Sequence, residues 1–536
     1  MENFSQDFWN ECFDNIYNAK LALTENGALS YDTCGFTKLA DQFGKSANYN
    51  GRDINDVFFD QGKIWNEDSL EALRFPFYLR MITRKTKISK DCETEKVQKG
   101  QGCRDEAFKR MLWIAENEPD AFYKNLWVLP IIGSWKDLWT LMYYDKVYDI
   151  NALNHDIIFS LINVGLKSDT HSELIKKYMP RIKSGGKCKT EWVKIANELA
   201  KEFANYNRWS YKEYNHIKTS GTAHDFQKII CDGRYKDIDW NLIPGRALSK
   251  IVTDKFLTKH DIEDDFINWV NNNSTIKFTG YVYELLQRFN NGASCIEKVM
   301  INKQFDELVK KASEDGNVSG NVWCALDTSG SMTWEVKNGV TAYDICVSLG
   351  IFLSTLNKGA FHKNVVMFDN KSTTLQLDGN FCEMAKQIKD ASTAWGGTNF
   401  ISIIEKMVEI RENNPDIPLE DYPDTILVVS DMQFNPVNGN EETNYEAMKA
   451  MLYFAFQSDF VDKMKFVWWQ VTGRTNDVPA EMGAGQIFLS GYDPSIISLL
   501  LGDEVKEIEK KRGTPISTEE SIALALSQEI LAMVNL

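Results

Sequence analysis

The spacing of apolar positions changes part-way along the chain and divides it into two kinds of structure. From about residue 320 onward, short continuous apolar runs alternate with longer stretches spaced for helix. Val322-Trp323-Cys324-Ala325-Leu326 reads as a buried strand, as do residues 425–429, 466–471 and 487–489. Residues 365–368 and 373–377 read as two short strands joined by a turn. Ala342, Ile345, Cys346, Leu349, Phe352, Leu353 and Leu356 form one helix face, with Thr341 and Asp344 as a capping box at its start. Phe400, Ile403, Ile404, Met407 and Val408 form another, with Asn399 placed to cap it. Helices are also expected over 445–456, after Asp493-Pro494 with Pro at the first position, and from a Ser517–Glu520 cap through Val534. Such alternation predicts a mostly parallel, doubly wound α/β sheet.

The first 310 residues lack it. Residues 106–114, 120–126, 191–203 and 298–311 have helical spacing with aromatic residues on their apolar faces. Breaks fall at Pro119, Pro130, Pro180 and Gly185-Gly186. With no exact repeat visible, this half reads as a degenerate array of HEAT-like helical pairs. Residues 314–320 are polar and Gly-containing, as a linker would be. The expected class is therefore α plus α/β, with a helical domain over 1–313 and a doubly wound domain over 321–536.

Candidate chemistry sits where two of the strands end. Asp327-Thr328-Ser329-Gly330-Ser331 follows the first strand directly, and Asp431 closes the run that begins at Thr425. Between them lies Trp395-Gly396-Gly397-Thr398-Asn399. The C-terminal ends of strands are where open α/β sheets bind ligands. Asp327, Ser329, Ser331, Thr398 and Asp431 offer hard oxygens with little negative charge, a set suited to Mg²⁺, or Mn²⁺ or Ca²⁺, kept partly hydrated. A lone D-x-S-x-S would be a turn whose Ser side chains cap a helix; three parts in order, two of them ending strands, argue for a site. An aspartyl-phosphate enzyme also places an Asp at a strand end, but it usually wants a second acid two residues on, where Ser329 stands. The constellation resembles the metal-ion-dependent adhesion site of von Willebrand factor A domains. That resemblance implies that the two Ser and Thr398 contact the ion directly or through water, with Asp327 and Asp431 as acidic ligands or water anchors. It also implies an open position for an acidic residue of a protein partner. Gly396 and Gly397 would let the loop backbone approach the ion through unusual dihedrals, and Ser430 reads as a structural hydroxyl.

Composition narrows the setting. Apolar content of 43% and charged content of 25% are those of a soluble globular protein. No apolar stretch approaches a membrane span, and the acidic start of the chain does not resemble a secretory signal. Ten Cys without a C-x-x-C pair, and six His away from them, point to free thiols in a reduced compartment and away from zinc. A cytoplasmic location is the expectation, or a virion if the chain is viral. The net charge of −16 is uneven: residues 1–310 hold 43 Lys+Arg against 44 Asp+Glu, leaving 17 against 32 of the chain totals of 60 and 76 for 311–536.

Within the near-neutral first half, residues 74–110 carry eleven Lys+Arg against five Asp+Glu, and 167–255 carry eighteen against eleven. The second is interleaved with Tyr and Trp, notably over 206–212, and the first holds Tyr78; basic residues beside aromatics can neutralise phosphates and stack bases. Candidate RNA contacts are Arg104, Lys136, Arg208, Trp209 and Lys212, with a solvated helix face over core aromatics as the plainer reading. For Arg104 and Lys136 the plainer reading is ion pairs with their neighbours Asp105 and Asp137. His260-Asp261 reads as a polar pair at a helix end, and Gly185-Gly186-Lys187 lacks the spacing of a phosphate-binding loop.

A second resemblance rests on Lys99-Gly-Gln-Gly-Cys-Arg104-Asp105 followed by Pro130-Ile-Ile-Gly133-Ser-Trp135-Lys136-Asp137-Leu138. Tyr211-Lys-Glu-Tyr214, Asp239-Trp240-Asn-Leu-Ile-Pro244-Gly-Arg-Ala and His260-Asp261 extend it. The pattern resembles an uncharacterised family of helical-plus-von Willebrand A proteins from eukaryotes and large DNA viruses. That family is similar in layout to the Ro autoantigens, whose TROVE module of helical repeats binds small non-coding and misfolded RNAs. The resemblance implies a non-enzymatic binding protein, with small non-coding or single-stranded RNA on the helical half and a protein partner at the cation, and no membrane. Alternatives are a protein–protein adhesion or scaffold component without an RNA role, and a metal-dependent hydrolase.

Overall fold

A computed structural model of the chain describes residues 21–34, 37–49, 51–86, 96–183, 190–220, 225–314, 321–337, 339–357, 359–392, 396–437, 442–473, 478–480 and 483–536. Gly185-Gly186-Lys187, Trp395 and most of the linker stretch lie outside the described residues. The chain forms two compact units. One contains the described residues through Tyr49 together with Ser274–Ala525; the other contains residues 51–273 and Leu526–Leu536. The boundary expected between 313 and 321 is thus displaced. Helix Cys295–Glu314 belongs with the sheet because Phe305 stacks on Phe381 at 4.5 Å and meets Phe352 edge-on at 6.2 Å. The chain's last residues belong with the helices: Asn535 exchanges hydrogen bonds with Asn125, and Gln528 with the backbone of Lys99.

Twelve short strands occur along the described chain. A hairpin, β1 (Leu21–Leu23) and β2 (Leu29–Tyr31), opens it, and a second, β3 (Arg84–Thr86) and β4 (Lys96–Gln98), lies in the helical unit. The sheet unit adds β5 (Val322–Asp327), the small pair β6 (Glu335–Lys337) and β7 (Val340–Thr341), then β8 (Asn364–Phe368) and β9 (Ser372–Gln376). It ends with β10 (Thr425–Ser430), β11 (Lys465–Gln470) and β12 (Gln486–Ser490). The main sheet has six strands in the order β12-β11-β10-β5-β8-β9, parallel throughout except for the antiparallel edge strand β9. Every residue of β5, β10, β11 and β12 is buried, as expected when helices cover both faces of a parallel sheet.

Strand order reverses between β5 and β10. From β5 the chain leaves toward β8 and β9, and from β10 toward β11 and β12. Loops leaving these two strands diverge and open a crevice at their C-terminal ends, the position where doubly wound sheets hold ligands.

Local signals set most of the flanking helices. Helix Ala342–Leu356 begins at a complete Thr341/Asp344 capping box, and Asn444–Ala455 at a Thr443/Glu446 box. Three expectations need correction. Asn399 does not cap helix Ile401–Asn413, because its side chain reaches the Asn370 carbonyl at 3.4 Å. Pro494 precedes a helix of only five residues, Ile496–Leu500, and a charged helix, Asp503–Arg512, follows it. The terminal helix starts at the expected Ser517/Glu520 pair but ends at Leu526, with a separate turn at Glu529–Ala532.

The other unit is helical apart from β3 and β4. Its core holds ion pairs as well as aromatics. Arg80 and Asp137, both fully buried, meet at 2.5 Å, and Asp137 also accepts from the Ser134 N–H at 2.7 Å. Gly133 is required there: a Cβ would lie 2.2 Å from Asp137 Oδ2 and 3.0 Å from the Arg80 guanidinium. Arg110 and Arg52 converge on Glu106 at 2.8 and 2.9 Å. Among the described residues, no helix is long and apolar enough to cross a membrane.

Candidate metal-binding site

Four of the five expected ligands are linked by hydrogen bonds where β5 and β10 end, and the fifth, Thr398, is carried on a loop bonded to theirs. The Asp327 carboxylate is fully buried at the end of β5. Its Oδ1 accepts from the Ser329 N–H at 2.9 Å, and its Oδ2 from the Ser430 hydroxyl at 2.5 Å. These bonds fold the Asp327–Ser331 loop back on itself and leave the Ser329 and Ser331 hydroxyls 3.1 Å apart. Asp431, just past the end of β10, is hydrogen-bonded to the Ser331 side chain, and its Oδ1 accepts from the Gln433 N–H at 3.2 Å.

A tight backbone carries Asp431. Met432 is buried yet holds φ at 63°, a conformation side-chain-bearing residues rarely adopt, and its N–H bonds the Ser430 hydroxyl at 2.9 Å. Ser430 therefore ties the two acidic loops together, the structural role its sequence position suggested. Strain of this kind persists only where the surroundings hold it in place.

Thr398 comes from the third loop. Its backbone N–H donates to Asn435 Oδ1 at 3.1 Å and its carbonyl accepts from the Asn435 N–H at 2.8 Å, while Gly396 O accepts from Gly330 N at 3.1 Å. These bonds hold the third loop against the other two. The Thr398 hydroxyl itself is 3.5 Å from Asn26 Nδ2. Gly396 and Gly397 are needed for a reason other than the expected one. Neither adopts positive φ, but a Cβ would lie 2.1 Å from Asn370 Nδ2 at Gly396 and 2.6 Å from Asn435 Nδ2 at Gly397.

Burial, and then the charge of Asp431, push the Asp327 carboxyl up to about 7, against the opposing bonds from Ser329 and Ser430. Asp431 is raised as well, by burial first and with the nearby Glu25 charge contributing. Both carboxyls are raised in the same crevice, and a cation between them would favour their charged forms. Among the described residues, no group of three or more His, Cys, Asp or Glu side chains could hold a metal. The donor set is thus two carboxylates and hydroxyls, an all-oxygen set fit for a hard divalent ion that keeps part of its water shell.

One part of this site has no counterpart in the sequence motifs. The turn between β1 and β2 reaches it from 407 to 410 residues away: the Thr24 hydroxyl donates to Phe434 O at 2.8 Å, Glu25 N to Gln433 Oε1 at 2.5 Å, and Asn26 Nδ2 to Gln433 O at 2.5 Å. Three-residue strands carry too little periodicity to be read as a hairpin.

The RNA candidates lie in the helical unit and do not form one cluster. Exposed Lys136 lines a cleft of about 280 Å³ with Trp139, Tyr143, Lys177, Tyr178 and Trp192. Half-buried Trp209 lines another, of about 260 Å³, with Asn163, Lys167, Lys176 and Asn207. Arg208 and Lys212 are exposed near the second, Arg208 with φ of 58°. Arg104 is half exposed and sits 3.7 Å from Asp137, not on its neighbour Asp105. Asp137 itself is taken up by Arg80, so the motif around Gly133 is accounted for by packing. His260 stacks on Tyr235 at 3.6 Å and ends helix Asp254–Lys259, as its sequence position suggested.

A domain of unknown function, DUF7788, matches residues 322–529, the sheet and its surrounding helices. An uncharacterized protein of Acanthamoeba polyphaga mimivirus, L728, is 22% identical over 528 residues, which cover 91% of this chain and 85% of that protein. The crystal structure of the Ro (RSR) protein of Deinococcus radiodurans aligns over 74% of this chain and 87% of its own, at 11% identity and a TM-score of 0.37. A superposition that loose leaves the pairing of individual residues undefined.

Proposed function

We propose that this chain is a non-enzymatic binding protein that holds a hydrated divalent cation, Mg²⁺ in preference to Mn²⁺ or Ca²⁺, and uses it to capture an acidic residue of a protein partner. One observation carries the reading: the oxygens of Asp327, Ser329, Ser331 and Asp431 gather at the strand-order reversal, on loops locked by Ser430. Asp327 and Asp431 would anchor the ion and its waters, the hydroxyls would complete the shell, and the charge left over would attract a carboxylate. Electron paramagnetic resonance of Mn²⁺ added to the full chain, with Mg²⁺ and Ca²⁺ as competitors, tests it. One saturable site with Mg²⁺ competing supports the reading; free Mn²⁺ throughout the titration rejects it.

A second ligand is favoured by the two clefts of the helical unit, which combine Lys136 and Lys177 with Trp192 and Tyr143, and Lys167 and Lys176 with Trp209. Aromatic faces beside ammonium groups can stack bases and neutralise phosphates, so the helical unit would take single-stranded RNA in a Ro-like manner. Filter binding of a single-stranded RNA to the full chain checks it. Affinity should fall as salt rises, and Trp209→Ala should weaken binding about tenfold. No binding at low salt would leave a protein scaffold as the remaining reading.

A further inference from the structure

The turn joining β1 and β2 is pinned to the candidate cation site by side-chain and backbone bonds. Thr24 and Glu25 fasten it to the loop after β10, and behind it β2 is bridged to Val478, with Tyr31 and Val478 exchanging backbone bonds at 2.8 and 2.9 Å. Held between these anchors, Asn26 extends its amide over two of the site's loops. Nδ2 donates to Gln433 O at 2.5 Å, two residues past Asp431, and lies 3.5 Å from the Thr398 hydroxyl. The Gln433 carbonyl fixes which end of the amide faces inward, since only the NH₂ can donate to it.

The consequence falls on Thr398. A threonine hydroxyl has two lone pairs and one proton. An Asn26 N–H at 3.5 Å draws one lone pair of that hydroxyl toward it and so biases the direction of the other. We infer that the β1–β2 turn is a fourth loop of the cation site, in which Asn26 is a positioning residue that orients the Thr398 hydroxyl toward the ion. The inference rests on the cation-site reading above and adds a residue that none of the three sequence motifs contains. Residues that orient a ligand from behind are commonly worth a tenfold or greater factor in metal affinity.

A double-mutant cycle tests the inference in the full chain, read as Mn²⁺ affinity by calorimetry and with thermal melting as the check on folding. The four proteins are wild type, Asn26→Ala, Thr398→Val and the double variant. Thr398→Val keeps the side chain's shape and removes only the hydroxyl. Asn26→Ala should weaken Mn²⁺ about tenfold, while the same change in the Thr398→Val background should have little effect, because there is no hydroxyl left to orient. A purely structural Asn26 would give losses that multiply. Asn26→Leu, of similar volume, repeats the comparison if the alanine variant melts early. Multiplying losses, or an unchanged affinity in Asn26→Ala while Asp431→Asn abolishes binding, overturns the inference and leaves the site standing. Wild-type protein that does not bind Mn²⁺ overturns both.

Discussion

The Ser430 hydroxyl donates to Asp327 Oδ2 at 2.5 Å and accepts from the Met432 N–H at 2.9 Å, so one side chain at the end of β10 holds both acidic loops. It does so from a fully buried position.

Ser430→Ala removes both bonds and leaves a buried carboxylate oxygen and a buried N–H without that partner. The expected cost is about 1–3 kcal/mol in urea denaturation of the metal-free protein, together with weaker cation binding. Unchanged stability would mean that the two loops are held by other contacts.

The two acids also make stability depend on pH, with a definite sign. Asp327 is raised to about 7 and Asp431 is raised too, both chiefly by burial. A carboxyl whose folded value exceeds its unfolded value contributes stability that is complete below about pH 4 and lost as pH rises through the folded value. Between about pH 5 and about pH 7.5 the metal-free protein should therefore lose stability relative to an Asp327→Asn/Asp431→Asn variant. Mg²⁺ should restore more of it at the higher pH. Parallel melting curves for the two proteins across that window would contradict this.

The legible part of the molecule is the part written in contiguous residues. Val322–Asp327 and Thr425–Ser430 announce themselves because a fully buried strand needs an unbroken apolar run, and each run stops at its acid. Asp327, Ser329, Ser331 and Asp431 were readable for the same reason. Asn26 was not, because its role depends on a tertiary contact across 372 residues. The unit boundary was hidden in a similar way. The face of Cys295–Glu314 that carries Phe305 reads as apolar in sequence, but nothing in it says whether helices flanking the sheet or helices of the other unit will cover it. At Arg104 the half-exposed side chain sits 3.7 Å from Asp137, an acidic partner that adjacency in sequence did not single out.

In the helical unit, the buried Arg80–Asp137 pair sets a separate expectation. Arg80→Ala leaves the Asp137 carboxylate in a fully buried position without its guanidinium, which should cost about 3–5 kcal/mol. Gly133→Ala should also destabilise, since its Cβ would stand 2.2 Å from Asp137 Oδ2. Urea denaturation of the two variants checks both. A neutral Gly133→Ala would mean that the pair can shift to make room.

The cation site is tested most directly by titrating Mn²⁺ calorimetrically into wild-type protein, Asp327→Asn and Asp431→Asn. Both substitutions keep the side chain's shape and remove its charge, so the loops retain their packing while the ion loses an anchor. The account predicts one site in the wild type, with binding lost or weakened at least about a hundredfold in each variant whose melting temperature stays near wild type. Equal affinity in all three proteins, or heat of binding in none, would contradict it.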